Sequence, residues 1–182
     1  MSAPGPAAPG PTVPAPTRRR ERPSLRQAVV EDLVAVVERD PSCPRWAAVL
    51  HVPWWAVAAH RVAHRLHRRA PLRARLIAAA ARLVTGIEIA PGAVIGRRFF
   101  IDHGIGTVIG ATAIVGDDVT LHHRVTLGSR GWWNLPADPG ARRHPRIGDG
   151  VRIGVGASVL GPVTVAAGTT VRAHALVLED VP

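Results

Sequence analysis

Apolar positions recur at helical spacing through residues 24–85, and after Gly86 they recur every sixth residue. Ser24 followed three residues later by Gln27 has the pattern of a capping box, and LRQAVVEDLVAVVERD carries apolar residues three and four apart. A first helix is therefore predicted, ending at Asp40-Pro41, because the residue before proline is pushed out of the helical region. A second is predicted from Pro53 through WWAVAAHRVAHRLHRR, since proline suits a first turn. Pro71 opens a third, LRARLIAAAARLV, closed near Thr85-Gly86.

Beyond Gly86 the six-residue period runs in three frames. Aliphatic residues stand at Ile89, Ile95 and Ile101, then at Ile109, Val115, Leu121 and Leu127, then at Ile147, Ile153, Val159, Val165, Val171 and Val177. Two positions before them the residue is usually small or aliphatic, as at Ala93, Ala113, Val119, Val125, Val151, Ala157, Val163 and Ala175. Such a repeat predicts a solenoid of triangular coils, three hexads per coil, with one aliphatic side chain per hexad pointing inward and Gly, Asp and Asn at the corners. A single coil has too little core, so coils must stack. The period breaks twice: by two residues within Asp102-His103-Gly104-Ile105-Gly106, and by the insertion SRGWWNLPADPGARRHP between Leu127 and Ile147. An interrupted coil projects polar residues out of the stack, and chemistry is expected there.

Composition narrows the class. The chain has 182 residues, 23 Lys+Arg (all Arg), 13 Asp+Glu and a net charge of +10. One domain with an appendage fits that length. Residues 1–23, rich in Pro and Ala and ending in Arg18, Arg19, Arg20 and Arg22, read as a disordered arm. Three domains follow: the arm 1–23, a helical unit 24–85, and a solenoid 86–182 with a protruding loop 129–145. Cys43 is the only cysteine, which excludes an internal disulfide framework and a Cys-rich zinc module. No apolar run reaches the roughly 20 residues of a bilayer span, and the N-terminus lacks a secretory h-region. A cytoplasmic location is expected. The dense run Arg61, Arg65, Arg68, Arg69, Arg73 and Arg75 reads as a solvated helical face, with no nucleic-acid or membrane partner expected.

The order ERDP (38–41), TGIEIAPGAVIGRRFFIDHGIGTVIG (85–110), DDVTLHHRVTLG (117–128) and RHPRIGDGV (143–151) resembles the serine O-acetyltransferase family of hexapeptide-repeat acyltransferases, over roughly residues 24–182. The resemblance implies an α+β chain, a helical unit followed by a left-handed parallel β-helix, assembled as a homotrimer or hexamer with L-serine and acetyl-CoA bound between subunits. It implies acetyl transfer from acetyl-CoA to the serine hydroxyl without a metal. His103 matches the family's catalytic base and Glu88 the acid that orients it. Asp40 and Asp102 match the carboxylates that hold the substrate, and Arg143 and His144 the pair completing its pocket, with Arg143 on the substrate carboxylate. Gly128 and Ser129, with Val155, Gly156 and Ala157, fall where backbone approaches the CoA arm.

These residue types suit the chemistry. An imidazole of ordinary pKa near 6.5 is mostly neutral at cytoplasmic pH and can take a hydroxyl proton. An acid behind it stabilises the imidazolium that forms. Asp40 and Asp102 suit an ammonium, and Arg143 can grip a carboxylate bidentately. Cys43 lies outside the motifs, so no covalent intermediate is expected. Four positions depart from the family: Ala90 for the usual His, Ala111 for Glu in Gly-Glu-Thr, Ser129-Arg130 in place of Gly-Thr, and an end at Pro182 before a Gly-Val-Pro-Ala tail. That tail helps enclose CoA and docks the next enzyme of cysteine biosynthesis, so weak CoA binding, no cysteine feedback and no cysteine-synthase partner are the expectations.

Other readings remain open. The acceptor could be another small hydroxy-amine, such as homoserine or a specialised-metabolite precursor. A γ-carbonic-anhydrase-like metal enzyme would need a His-x₄-His pair on one coil, and residues 86–182 have none. The remaining rival is a non-catalytic partner-binding member. His122 and His123 read as surface or trimer-contact residues, and His60 and His64 as packing or helix surface. His51, His67 and His174 belong to no constellation. Trp54 and Trp55 read as helix packing, while Trp132 and Trp133 would stack on a ligand or seal a subunit contact.

Overall fold

A computed structural model describes residues 23–131, 138 and 140–182. The arm up to residue 22 and the Trp132-Trp133 pair lie outside the described residues.

The helices begin and end where local chemistry dictates. Helix α1 spans Leu25–Arg39. The Ser24 hydroxyl accepts from the Gln27 N–H at 3.2 Å, and the Gln27 amide oxygen accepts from the Ser24 N–H at 2.9 Å. That satisfies two of the donors a helix start leaves open. Asp40 ends the helix in an extended conformation ahead of Pro41. A 3₁₀ segment, Arg45–Leu50, follows, which the periodicity did not anticipate. Helices α2 (Val52–Leu66) and α3 (Pro71–Thr85) each carry proline in the first turn, and α3 ends on Gly86 at φ +68°.

Thirteen short strands follow among the described residues: β1 (Glu88–Ile89), β2 (Val94–Ile95), β3 (Phe100–Asp102), β4 (Val108–Ile109), β5 (Ile114–Val115), β6 (Thr120–His122), β7 (Thr126–Gly128), β8 (Arg146–Ile147), β9 (Arg152–Ile153), β10 (Ser158–Leu160), β11 (Thr164–Val165), β12 (Thr170–Val171) and β13 (Leu176–Val177). They form three parallel faces, ordered β1-β4-β7-β10-β13, β2-β5-β8-β11 and β3-β6-β9-β12. Each chain turn visits every face once, giving the stacked coils of a left-handed β-helix.

Register locates both breaks. Glu88 lies beside Val108 but Val108 beside Thr126, so the first coil is two residues longer than the second. Ile114 lies beside Arg146, and the difference is the insertion. Inward residues of successive coils stack into one core: Ile109, Leu121, Leu127, Ile153, Val159 and Val165 are fully buried. At the corner between the third and first faces the left-handed conformation recurs at Gly86, Gly106, Arg124, Gly156 and His174. Arginine and histidine thus take corner positions expected for Gly, Asp or Asn.

The helical unit is bolted to the coils by a buried ion pair. Arg61 donates to both Asp32 oxygens, at 2.9 and 3.0 Å, and to the carbonyls of Ile95 and Gly96, each at 2.6 Å. Asp32 also accepts from the Phe99 N–H at 3.0 Å. This corrects the solvated-face reading for Arg61, which is buried. Nearer the surface, Asp118 accepts from Arg39 at 2.6 Å and Arg98 at 2.7 Å, and Arg98 also reaches Glu38. The end of α1 is thereby fixed against the third face. Phe100 fills the seam, packed with Ala35, Val36, Ala48 and Trp54.

Candidate active site

A cleft of about 690 Å³ lies between the C-terminal end of α1 and the third face. Strand alternation decides which side chains face it. Ile101, Leu121 and Ile153 turn into the core, so Phe100, Thr120 and Arg152 form one outward row and Asp102 and His122 a second. Arg39, Asp40, Pro41 and Ser42 close the helical side.

The two extra residues of the first coil form a tight turn after Asp102. The Gly104 N–H donates to the Asp102 carbonyl at 2.7 Å, and the Gly106 N–H reaches the Gly86 carbonyl at 2.9 Å. His103 sits in the left-handed region at φ +59°, with its side chain 78% exposed at the cleft. Gly104 follows at φ +75°, where a Cβ would stand 2.4 Å from the Ile87 side chain, so only glycine lets the turn pack this closely.

The His103 Nε2 stands 3.6 Å from Asp102 Oδ1, an electrostatic contact rather than a hydrogen bond. The other Asp102 oxygen lies 3.1 Å from His122 Nδ1. One coil below His103, the His123 ring meets it edge-on at 5.8 Å between centroids. The buried His123 Nδ1 has no hydrogen-bond partner among the described residues. Asp40 accepts from the Ser42 hydroxyl at 2.6 Å and N–H at 2.9 Å, and these bonds hold its carboxyl below the usual range. The imidazole of His51 stacks on Phe100 beside the cleft, and burial lowers its pKa.

Sequence-predicted residues divide into two groups. Asp40, Asp102 and His103 meet at the cleft. Glu88 does not line it: its carboxylate pairs with Arg82 at 2.9 Å, and within the single chain no contact joins it to His103. Arg143 and His144 also lie elsewhere, at the corner between the first and second faces. There the Thr112 hydroxyl accepts from the backbone N–H groups of both, at 3.0 and 3.2 Å. The His144 ring is buried over Gly110, where a Cβ would stand 2.0 Å from it, and burial lowers its pKa. Val155, Gly156 and Ala157 turn the corner below His103, with the Gly156 N–H donating to the His123 carbonyl at 3.0 Å. Gly128 ends β7 at the far edge of the first face, against Leu160 and ahead of Ser129.

Periodicity missed His122, Arg152 and Arg39 as cleft residues. Parity contained the signal for His122, because it follows the inward Leu121 as Asp102 follows the inward Ile101. Among the described residues no group of three His, Cys, Asp or Glu side chains is arranged to hold a metal ion, and no helix is long and apolar enough to cross a membrane.

No family model matches the chain. It is 47% identical over 158 residues to a serine acetyltransferase of Mycobacterium tuberculosis, a match spanning 83% of this chain and 65% of that protein. It is 45% identical over 153 residues to a serine acetyltransferase of Helicobacter pylori, across 82% of this chain and 86% of the relative. Soybean serine acetyltransferase in complex with serine superposes with a TM-score of 0.78 at 42% identity, over 88% of this chain and 65% of that one. The chain thus spans somewhat under two thirds of the first relative and of the soybean enzyme.

Proposed function

The chain belongs to the serine acetyltransferase family, and from that premise we propose that it transfers the acetyl group of acetyl-CoA to the hydroxyl of L-serine, with His103 as general base. The observation that carries this reading is the exposed imidazole at the coil break, facing one cleft with Asp102 and Asp40.

In the proposed reaction a ring nitrogen of His103 takes the hydroxyl proton as the serine oxygen bonds to the thioester carbonyl carbon. The tetrahedral intermediate collapses by breaking the carbon–sulfur bond. The imidazolium returns its proton to the departing thiolate, giving O-acetylserine and free CoA thiol. The Asp102 carboxylate stabilises the imidazolium and, with Asp40, receives the substrate ammonium. Positioned general-base catalysis of this kind supplies about 10² to 10⁴ in rate.

Glu88 keeps the orienting role the resemblance gives it, which requires its carboxylate to exchange Arg82 for His103. That pair is 64% and 45% exposed, so the exchange costs little. Arg143 and His144 enter from a second copy of the chain. They lie at one edge of the first face and His103 at the other, so one chain cannot bring both to one ligand, whereas copies meeting edge to edge can. A closed ring of such contacts makes the homotrimer, and its pairing through the helical units would make a hexamer. Gly128 and Ser129 of one copy, with Val155, Gly156 and Ala157 of the next, would border a groove between copies for the CoA arm.

A second reading, acetylation of another small hydroxy-amine, draws on the cleft volume, which is generous for serine. Thiol release from acetyl-CoA, measured against serine, homoserine and related hydroxy-amines, separates the two. Strict serine dependence supports the first, and turnover only with another acceptor replaces it with the second.

A further inference from the structure

A second pocket, of about 300 Å³, lies in the joint between α1, α2 and the second face. Ala28, near the start of α1, lines it, whereas Arg39 and Asp40 at the end of α1 line the cleft. Most of the helix, about 16 Å, separates the two. The pocket arises at the open edge of β2. That strand belongs to the first coil, so several of its carbonyls have no strand above them, and α2 supplies donors instead. Arg61 donates to Ile95 and Gly96, and His64 Nδ1 to Pro91 at 2.9 Å. His60, one helical turn earlier, has its backbone hydrogen bond at Ala93. That bond favours the protonated ring, so the partner is the Ala93 carbonyl.

His60 is only 3% exposed, yet its Nδ1 has no hydrogen-bond partner among the described residues. Burial pushes its pKa down to about 3, so the ring is neutral. With Nε2 donating to Ala93, Nδ1 is an acceptor, and a buried acceptor on a pocket wall calls for a donor from outside the chain. The charges around the pocket are matched except at one point. Arg61 pairs with Asp32 and Arg97 with Glu31, while Asp117 accepts from the Arg97 N–H at 2.8 Å and lies in the field of its guanidinium. Arg65 donates to the carbonyls of Arg61 and Pro23, at 3.1 and 3.0 Å, and has no carboxylate partner among the described residues. The Arg61 charge beside it adds to the positive potential there. One negative charge is therefore favoured at Arg65, and Asp117 and Glu31 disfavour a second.

We propose that this pocket binds a small hydroxy-carboxylate, with its carboxylate on Arg65, its hydroxyl donating to His60 Nδ1 and its carbon chain against Ala28, Val94 and Ile95. The volume stands at the lower end for small-molecule sites and suits a chain of about four to six carbons. Three guanidinium groups against one lining carboxylate disfavour an ammonium, which sets this ligand apart from the amino-acid acceptor of the cleft. The assignment does not depend on the reaction proposed above.

The test is calorimetric titration of 3-hydroxybutyrate, butyrate and 1,3-butanediol into the full chain in its native assembly, as wild type and as Arg65→Gln, with and without L-serine. Arg65 is exposed, so its replacement leaves the helix packing intact. Relative to 3-hydroxybutyrate, butyrate is expected to bind about 2- to 10-fold more weakly, and the diol about 10- to 100-fold more weakly. Arg65→Gln is expected to weaken both acids by about 10- to 100-fold and leave the diol unchanged. In protein carrying ¹⁵N-histidine, the His60 Nδ1 resonance should move on adding 3-hydroxybutyrate and stay in place with butyrate. Wild-type protein that binds none of the probes, equal affinity for all three, or unchanged affinity in Arg65→Gln overturns the proposal. So does a His60 Nδ1 resonance that does not respond, or displacement of 3-hydroxybutyrate by L-serine, which would place it in the cleft.

Discussion

At the residue scale, Asp102 is shared between two imidazoles. His122 Nδ1 holds one oxygen at 3.1 Å, and the other faces His103 at 3.6 Å. His122 therefore sets where the carboxylate points without standing at the coil break itself. Replacing it by leucine removes that 3.1 Å contact from Asp102, an effect of about 2- to 10-fold on serine binding. Steady-state kinetics of His122→Leu should show a raised KM for serine with kcat little changed. A collapse of kcat instead would make His122 the proton acceptor. Position in the hexad made Asp102 and His103 readable, because both fall at a break in the period. His122 and Arg152 sit on unbroken hexads, where an outward polar residue is ordinarily just solvated. Only the helix end packed over them converts those positions into a cleft, and that packing is not written in the period. Glu88 shows the same limit, since its pairing with Arg82 joins a strand to a helix that spacing alone does not bring together.

At the scale of elements, the capping box at Ser24, the prolines opening α2 and α3, and the inward position of each hexad were all legible, because each rests on local geometry. The Arg45–Leu50 turn was not, since six residues are too few for a period to show. Arg61 was misread because five exposed arginines follow it closely in sequence. Its buried partner Asp32, inside the apolar stripe of α1, carried the clue. Removing one member of a buried pair leaves the other charge uncompensated, at a cost of about 3–5 kcal/mol. Arg61→Met should lower the urea midpoint accordingly, while Arg68→Met, in the exposed turn after α2, should leave it nearly unchanged. Equal midpoints for wild type and Arg61→Met would show that the pair is not what fixes the helices to the coils.

At the scale of the whole molecule, the coil geometry separates the proposed machinery into two half-sites at opposite edges of the first face. Counting hexads was enough to place them there: His103 follows a third-face strand, while Arg143 precedes a second-face one. What the count left unsaid is which copy of the chain supplies each half. The account depends above all on His103, whose exposed ring can be removed without disturbing the core. Serine-dependent thiol release from acetyl-CoA, compared between wild type and His103→Ala of matched secondary structure and assembly, tests it most directly. A fall in kcat of about 10² to 10⁴ is predicted, and equal rates in the two proteins would contradict it.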